Sequence, residues 1–545
     1  MEPSAHRDPF ARDHLPPHDL WPDLLLGGTF AYPPRLNCAV ELLERAVDAG
    51  HADRPLFRTA EGTQTYAAFL AEVNRIAHVL VDDLDLVPGN RVLLRGPNTP
   101  RLAACWFAVV KAGGICVTTM PLLRSYELTY TVEKARVSHA LCDARFRDEL
   151  GKTQGETDLL TSVAYFYADT DHDLEARMAS KPDHFEAVDT AADDVVLIGF
   201  TSGTTGKAKA TAHFHRDVLA ICDAFPASCL DLGPDDIVIG SPPLAFTFGL
   251  GGDLLFPMRV GASCAFIPKP SVEAILQTIH DFGATVCFTS PTAYRAMLDR
   301  LDAFDVSSLR QCVSAGEPLP APTFHAWHEA TGIKIIDGIG STEMLHIFLS
   351  APKDQIKPGT TGKPIPGYEA KVVDENGNEV PPGTVGLLAV RGPTGCRYLD
   401  DPERQRTYVR DGWNYPGDAY LVDDDGYFHY QSRTDDMIIT SGYNVSGLQV
   451  ESVLLTHDAV GECGVVGVPD EARGHLVKAF IVLREGVEAS DALVAELQDF
   501  VKAEIAPYKY PRAVAFLDAL PRTQTGKLQR FRLRDASLRE QENAA

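Results

Sequence analysis

The chain has 545 residues, 45% apolar and 23% charged, with 75 acidic against 50 basic side chains and a formal charge of −25. That is ordinary globular composition at several times the roughly 150 residues of one domain, so it excludes a disordered, collagenous or coiled-coil chain and predicts two or more domains. The acidic excess argues against nucleic acid or an anionic membrane as a partner, since both want a basic face.

The N-terminal stretch MEPSAHRDPFARDHLPPHDLW is polar and proline-rich, with no apolar core of a signal peptide. The best apolar run, residues 102–110, is cut by Lys111 and falls far short of the roughly 20 residues that span a bilayer. The expectation is a soluble, cytoplasmic protein, monomeric or homodimeric. Its eleven cysteines, scattered from Cys38 to Cys463 and never spaced Cys-x-x-Cys, read as buried reduced thiols rather than a disulfide frame or zinc site.

In chain order, residues 91–94, 195–200, 237–239 and 285–288 are short apolar runs typical of buried strands. Residues 101–111 and 271–281 carry helical spacing between them. This alternation predicts an α/β architecture of layered sheets and helices. From Pro381 the turn signals PPGTVG, RGPTG, DGWNYPGD and DDDGYF crowd together, which predicts a β-rich end. The acidic run 423–425 lacks EF-hand spacing and reads as a solvated turn. A new alternation follows, with strands at 465–468 and 478–483 and a helix at 491–505. The expected domains are residues 1–434 and a smaller α+β unit, residues 435–545.

The strongest local signal follows the strand at 195–200: Thr201, Ser202, Gly203, Thr204, Thr205, Gly206 and Lys207. Two glycines let backbone N–H groups turn toward an anion, and the hydroxyls and lysine add donors. The loop is not a Walker A sequence, because Ala208 follows Lys207.

This loop resembles the signature of the adenylate-forming acyl-CoA synthetases, although Ala208-Lys209-Ala210 stands where that family usually has Pro-Lys-Gly. Five further segments fall in the family's order: SAGEPL at 314–319, DGIGSTE at 337–343, YPGD at 415–418, SRTDD at 432–436 followed by SGYNV at 441–445, and PRTQTGK at 521–527. The resemblance implies a large N-terminal AMP-binding domain, a small mobile C-terminal domain, and ATP, Mg²⁺ and coenzyme A as reactants. By the same resemblance residues 201–207 would hold phosphates, Gly316 and Glu317 would lie beside adenine, and Asp418 and Arg433 would contact ribose. Glu343 would ligate Mg²⁺ with Thr342 near the α-phosphate, and Lys527 would be the catalytic lysine. Asp435 would be the hinge and Gly442 would face the coenzyme A tunnel. Ile339 stands where an aromatic residue often stacks on adenine.

DGIGSTEMLHIF, residues 337–348, resembles the benzoate–CoA ligase branch. The acid pocket implied there consists of Ala245, Phe246, Gly340, His346 and Ile347, a flat apolar slot suited to an aryl ring. The N-terminal stretch looks most like ligases for 2-aminobenzoate, placed ahead of salicylate and benzoate. A stand-alone adenylation enzyme loading a carrier protein is the alternative, and no Gly-Gly-x-Ser carrier site is apparent.

Overall fold

The computed structural model describes residues 3–168, 170, 173–201, 208–434, 436–440, 443–470, 474–505, 509–523 and 527–544. Four sheets organise it. In the first, the order is Ser162–Phe166, His139–Asp143, Arg91–Arg95, Ile115–Thr119, Val195–Thr201 and Lys209–Phe214. The first five strands run parallel and the last returns antiparallel. Helix Pro100–Lys111 packs on this layer, buried from Leu102 to Lys111, with the Thr99 hydroxyl capping its start.

The second sheet has nine strands, and its central ones are Ile335–Gly340, Gln311–Ala315, Val286–Thr289, Ile237–Gly240 and Ser263–Ala265, all parallel. Helix Val272–Phe282 covers one face through Ile275, Leu276 and Ile279, between an N-capping Ser271 and Gly283 in the left-handed region. Central strands such as Val286–Thr289 and Ile115–Thr119 are buried along nearly their whole length, as strands covered on both faces are.

The turn-rich region forms a six-stranded antiparallel sheet from Glu369–Val373 to Phe428–Arg433. In the turn before Gly426, the Asp423 carboxylate accepts the Tyr427 N–H at 2.9 Å and the Asp425 N–H at 3.1 Å, and pairs with Lys357 at 2.6 Å. Asp425 pairs with the same lysine at 3.1 Å, so these two acids tie off the turn around Lys357.

Among the described residues beyond Arg433, every strand belongs to a separate five-stranded sheet built on the long hairpin Val460–Asp470 and Gly474–Leu483. Helices Gly447–Leu454 and Asp491–Glu504 close a core of Val450, Leu454, Val465, Ile481, Leu497 and Val501. The chain is therefore a mixed α/β protein with a large N-terminal unit and a smaller C-terminal one.

All eleven cysteines are buried and free. Among the described residues no helix is long and apolar enough to cross a membrane. The polar N-terminal stretch is anchored: Asp8 pairs with Arg91 at 2.6 Å, and Ser4 bonds Asp194.

Candidate active site

Strand Ile335–Gly340 leaves the second sheet into a tight turn. Ser341 O accepts the Met344 N–H at 3.2 Å, Thr342 O accepts the Leu345 N–H at 3.1 Å, and Leu345 takes φ 69°. A leucine in the left-handed region costs of order 1 kcal/mol or more, and such strain persists where the surroundings over-determine it. The turn lifts Thr342 and Glu343 off the carboxyl end of the sheet. Thr342 lies flat on strand Val195–Thr201, where a Cβ at Gly199 would stand 2.8 Å from its Cγ2. Glu343 is buried, and the Tyr398 hydroxyl donates to its Oε1 at 2.6 Å.

Asp418 begins one strand of the third sheet and pairs in register with Arg433 at the end of the next. The Arg433 guanidinium stands 3.2 Å from Asp418 Oδ1. Burial raises the Asp418 carboxyl to about 6, while Arg433 and Lys527 pull it back and Glu343 adds to the rise. On strand Ile335–Gly340, burial likewise pushes Asp337 up to about 7, opposed by the hydrogen bond from Ser314.

Lys527 comes from the C-terminal unit. Its Cε would stand 3.5 Å from a Cβ on Gly316, and its charge interacts with Glu317, Asp418, Arg433 and Glu343. The residue as a whole is exposed, yet enough protein surrounds its ammonium for desolvation to lower the pKa, with Glu317 and Asp418 opposing. The loop carrying it is closed by the Thr523 N–H to Lys527 O at 2.7 Å and the Lys527 N–H to Thr523 Oγ1 at 3.0 Å. Arg522 ties that loop to Glu317 at 3.4 Å and Glu462 at 2.6 Å, and the Thr292 hydroxyl holds the other Glu317 oxygen at 2.6 Å. Arg530 contacts both oxygens of Glu451 at 2.7 Å, and Arg534 pairs with Asp436. These three arginines serve ion pairs around the segment that carries Lys527.

The segment entering the implied acid pocket is pinned by Asn98, which bonds Pro242 O at 2.9 Å and the Leu244 N–H at 2.8 Å. The Thr118 hydroxyl adds a bond to Ala245 O at 3.0 Å. Ala245 lines an apolar hollow with Leu94, Leu102, Trp106, Leu250 and Leu254. Phe246 is half-buried at the N-cap of the following helix. The ring that meets His346 is Phe248, at 5.7 Å, joined by Phe256 at 4.5 Å and Phe225 at 5.8 Å. Gly251 makes this cage possible, since a Cβ there would stand 2.5 Å from His346 Cδ2. Burial drives the His346 pKa down to about 3, so the imidazole is neutral. Gly340 closes against the His346 backbone, and Ile347 packs on Gly338.

Thr342, Glu343, Asp418, Arg433, Gly316, Glu317 and Lys527 thus converge on one region. Thr201 ends the strand whose Gly199 lies against Thr342. Ser202, Gly203, Thr204, Thr205, Gly206 and Lys207 lie outside the described residues, as do Asp435 and Gly442. Sequence reading missed Phe248 and Tyr398. The aromatic at 248 carried a signal, standing three residues before Gly251, whereas nothing marked Tyr398.

Two family models match the chain: AMP-binding enzyme over residues 43–398 and AMP-binding enzyme C-terminal domain over residues 449–527. The chain belongs to the AMP-binding enzyme family. Within it, the chain is 36% identical to the benzoate–CoA ligase of Thauera aromatica over 511 residues, covering 92% of this chain and 97% of that one. Among solved structures, the anthranilate CoA ligase AuaEII in complex with anthranoyl-AMP has a TM-score of 0.88 and 35% identity, covering 94% of this chain and 99% of that one. A benzoate CoA ligase from Burkholderia xenovorans LB400 has a TM-score of 0.84 and 31% identity, covering 92% and 100%.

Proposed function

We propose that this protein joins an aryl carboxylic acid to coenzyme A through an acyl-adenylate, with 2-aminobenzoate as the preferred acid. The observation that carries the reading is the convergence of Lys527, from the C-terminal unit, on Asp418, Glu343 and Gly316 of the N-terminal unit. The named activities of the relatives, on benzoate and anthranilate, support the aryl acid.

In the first step a carboxylate oxygen of the acid attacks the α-phosphorus of ATP and pyrophosphate leaves. Negative charge must be neutralised on both sides of that phosphorus. Lys527 would bridge the carboxylate and the α-phosphate, a task suited to a compact charge on a flexible stem. Asp418, ionised, would accept both ribose hydroxyls, with Arg433 beside it. Residues 201–207 would hold the remaining phosphates, with Thr342 near the α-phosphate.

Mg²⁺ fits the donors present. Tyr398 is the one hydrogen-bond partner of Glu343 among the described residues and takes only Oε1, which leaves Oε2 for a hard cation. No cluster of three His, Cys, Asp or Glu stands there among the described residues. One carboxylate plus substrate phosphates is the usual Mg²⁺ arrangement, and the bound cation would neutralise phosphate charge. In the second step the thiol of coenzyme A attacks the acyl carbon and AMP departs. In our reading the unit beginning at Asp435 turns between the steps, so that Gly442 replaces Lys527 at the site.

The acid would lie along Ala245, Phe246, Gly340 and Ile347, with the neutral His346 beside its ring substituent. Burying a six-membered ring is worth roughly 2–3 kcal/mol by area. An ortho-amino group bonds its own carboxylate, which covers part of its desolvation. The test is kcat/KM across benzoate, 2-aminobenzoate, salicylate, phenylacetate and hexanoate, with 2-aminobenzoate expected first. A preference for hexanoate overturns the aryl reading. A preference for benzoate beyond about tenfold, roughly 1.4 kcal/mol, overturns the ortho-amino choice alone.

A pH dependence follows from Asp418. Its carboxyl is raised from 3.8 to about 6, so below that pH it carries a proton and loses an acceptor site. We expect kcat/KM for ATP to fall about tenfold per pH unit on the acid side of pH 6. The sign for stability is opposite. The folded protein keeps a proton that the unfolded chain loses above 3.8, so this carboxyl costs increasing stability as pH rises from 3.8 to about 6. An ATP profile flat down to pH 5 contradicts the assignment.

A further inference from the structure

The turn at residues 341–345 is braced by a segment that the chemistry above leaves unused. Thr394 Oγ1 donates to Met344 O at 2.7 Å. Tyr408 Oη lies 3.3 Å from Ser341 Oγ. Between these two contacts, the Tyr398 hydroxyl donates to Glu343 Oε1 at 2.6 Å. Tyr398 has little freedom of its own. It is 1% exposed, its ring stands edge-on to Tyr408 at 5.6 Å, and its N–H donates to Gln405 Oε1 at 2.8 Å. The Gln405 amide is fixed in turn on the carbonyls of Cys396 and Leu20, each at 3.0 Å.

A glutamate carboxyl rotates freely about its last torsion, which has broad, roughly two-fold wells. One short charge-assisted bond removes that freedom. Mg²⁺ demands near-octahedral geometry, so it gains from a carboxylate whose free oxygen already points one way. We propose that Tyr398 is a positioning residue for Glu343: its hydroxyl holds Oε1 and so presents Oε2 to the divalent cation that arrives with ATP. The inference rests on the reading of Glu343 as the cation-holding carboxylate.

Tyr398→Phe keeps the ring and deletes only the donor. The probe is Mn²⁺ with ATP, its binding to the full-length protein followed by electron paramagnetic resonance. Partners that orient a ligating group typically contribute ten- to a hundredfold in metal affinity. Tyr398→Phe is therefore expected to weaken Mn²⁺ by about that factor. Adenylation should recover at high Mg²⁺, and thioester formation from a synthetic acyl-adenylate should be unchanged. The double variant with Glu343→Gln should bind Mn²⁺ no more weakly than Glu343→Gln alone. Thr394→Val loosens the same turn without touching Glu343 and should stay within about twofold of the parent, an effect of a few tenths of a kcal/mol. Unchanged Mn²⁺ affinity in Tyr398→Phe, with weakened affinity in Glu343→Gln, overturns the role of Tyr398. Equal weakening by Thr394→Val also overturns it, since the turn alone would then matter. Unchanged affinity in Glu343→Gln removes the reading of Glu343 and the inference with it.

Discussion

Lys527→Ala is expected to abolish adenylate formation while sparing thioester formation from a synthetic acyl-adenylate. The lysine meets Gly316 across the two units and stands in the combined field of Glu317, Asp418 and Glu343. A cation there neutralises charge that develops as the acid attacks phosphorus. Removing one such stabiliser typically costs on the order of 10²–10³ in rate, about 2.7–4 kcal/mol. The thiol step involves a carbon centre and a departing AMP, and in our reading Lys527 has left by then. Pyrophosphate exchange should therefore collapse while the acyl-adenylate is still consumed by coenzyme A. Equal loss in both half-reactions contradicts the single-step role.

Asp435→Pro should show the reverse pattern. Strand Phe428–Arg433 is the last of the third sheet and Ile438–Thr440 the first of the C-terminal one, so residues 434–437 are the covalent link between them. The flanks are tied, with the Thr434 N–H on Gly417 O at 3.0 Å and the Asp436 N–H on Arg433 O at 3.0 Å. A pivot in this link must change its φ and ψ, whereas proline fixes φ near −65° and blocks that change. Pyrophosphate release on mixing with ATP and acid should stay near the parent rate, while turnover with coenzyme A collapses. Unchanged thioester formation in Asp435→Pro moves the pivot elsewhere.

The sheets were legible because their strands are buried on both faces. Val195–Thr201 and Val286–Thr289 are buried over most of their length, so they read as apolar runs. The turn-rich third sheet was legible for the opposite reason, since each short strand ends in glycine or proline punctuation. The motifs picked out Thr342, Glu343, Asp418 and Lys527 one at a time. What sequence could not supply was contact between distant segments. Arg522 meeting Glu317 across the two units, and Tyr398 meeting Glu343 within one, depend on how distant segments pack, and no local periodicity records that. Phe246 and Phe248 illustrate a smaller limit. Both are aromatic and two apart, and only the helical turn starting at Thr247 decides which ring reaches His346. The anchoring of the polar N-terminal stretch was illegible for the same reason, because its ion pair with Arg91 joins residues far apart in the chain.

The most direct test of the account is the identity of the products. The protein is mixed with ATP, Mg²⁺, coenzyme A and 2-aminobenzoate, and the thioester and nucleotide are identified by mass spectrometry. The account predicts 2-aminobenzoyl-CoA with AMP and pyrophosphate in equal amounts, and an aryl adenylate when coenzyme A is left out. Release of ADP and phosphate, or no aryl thioester from any of the benzoates, would contradict it.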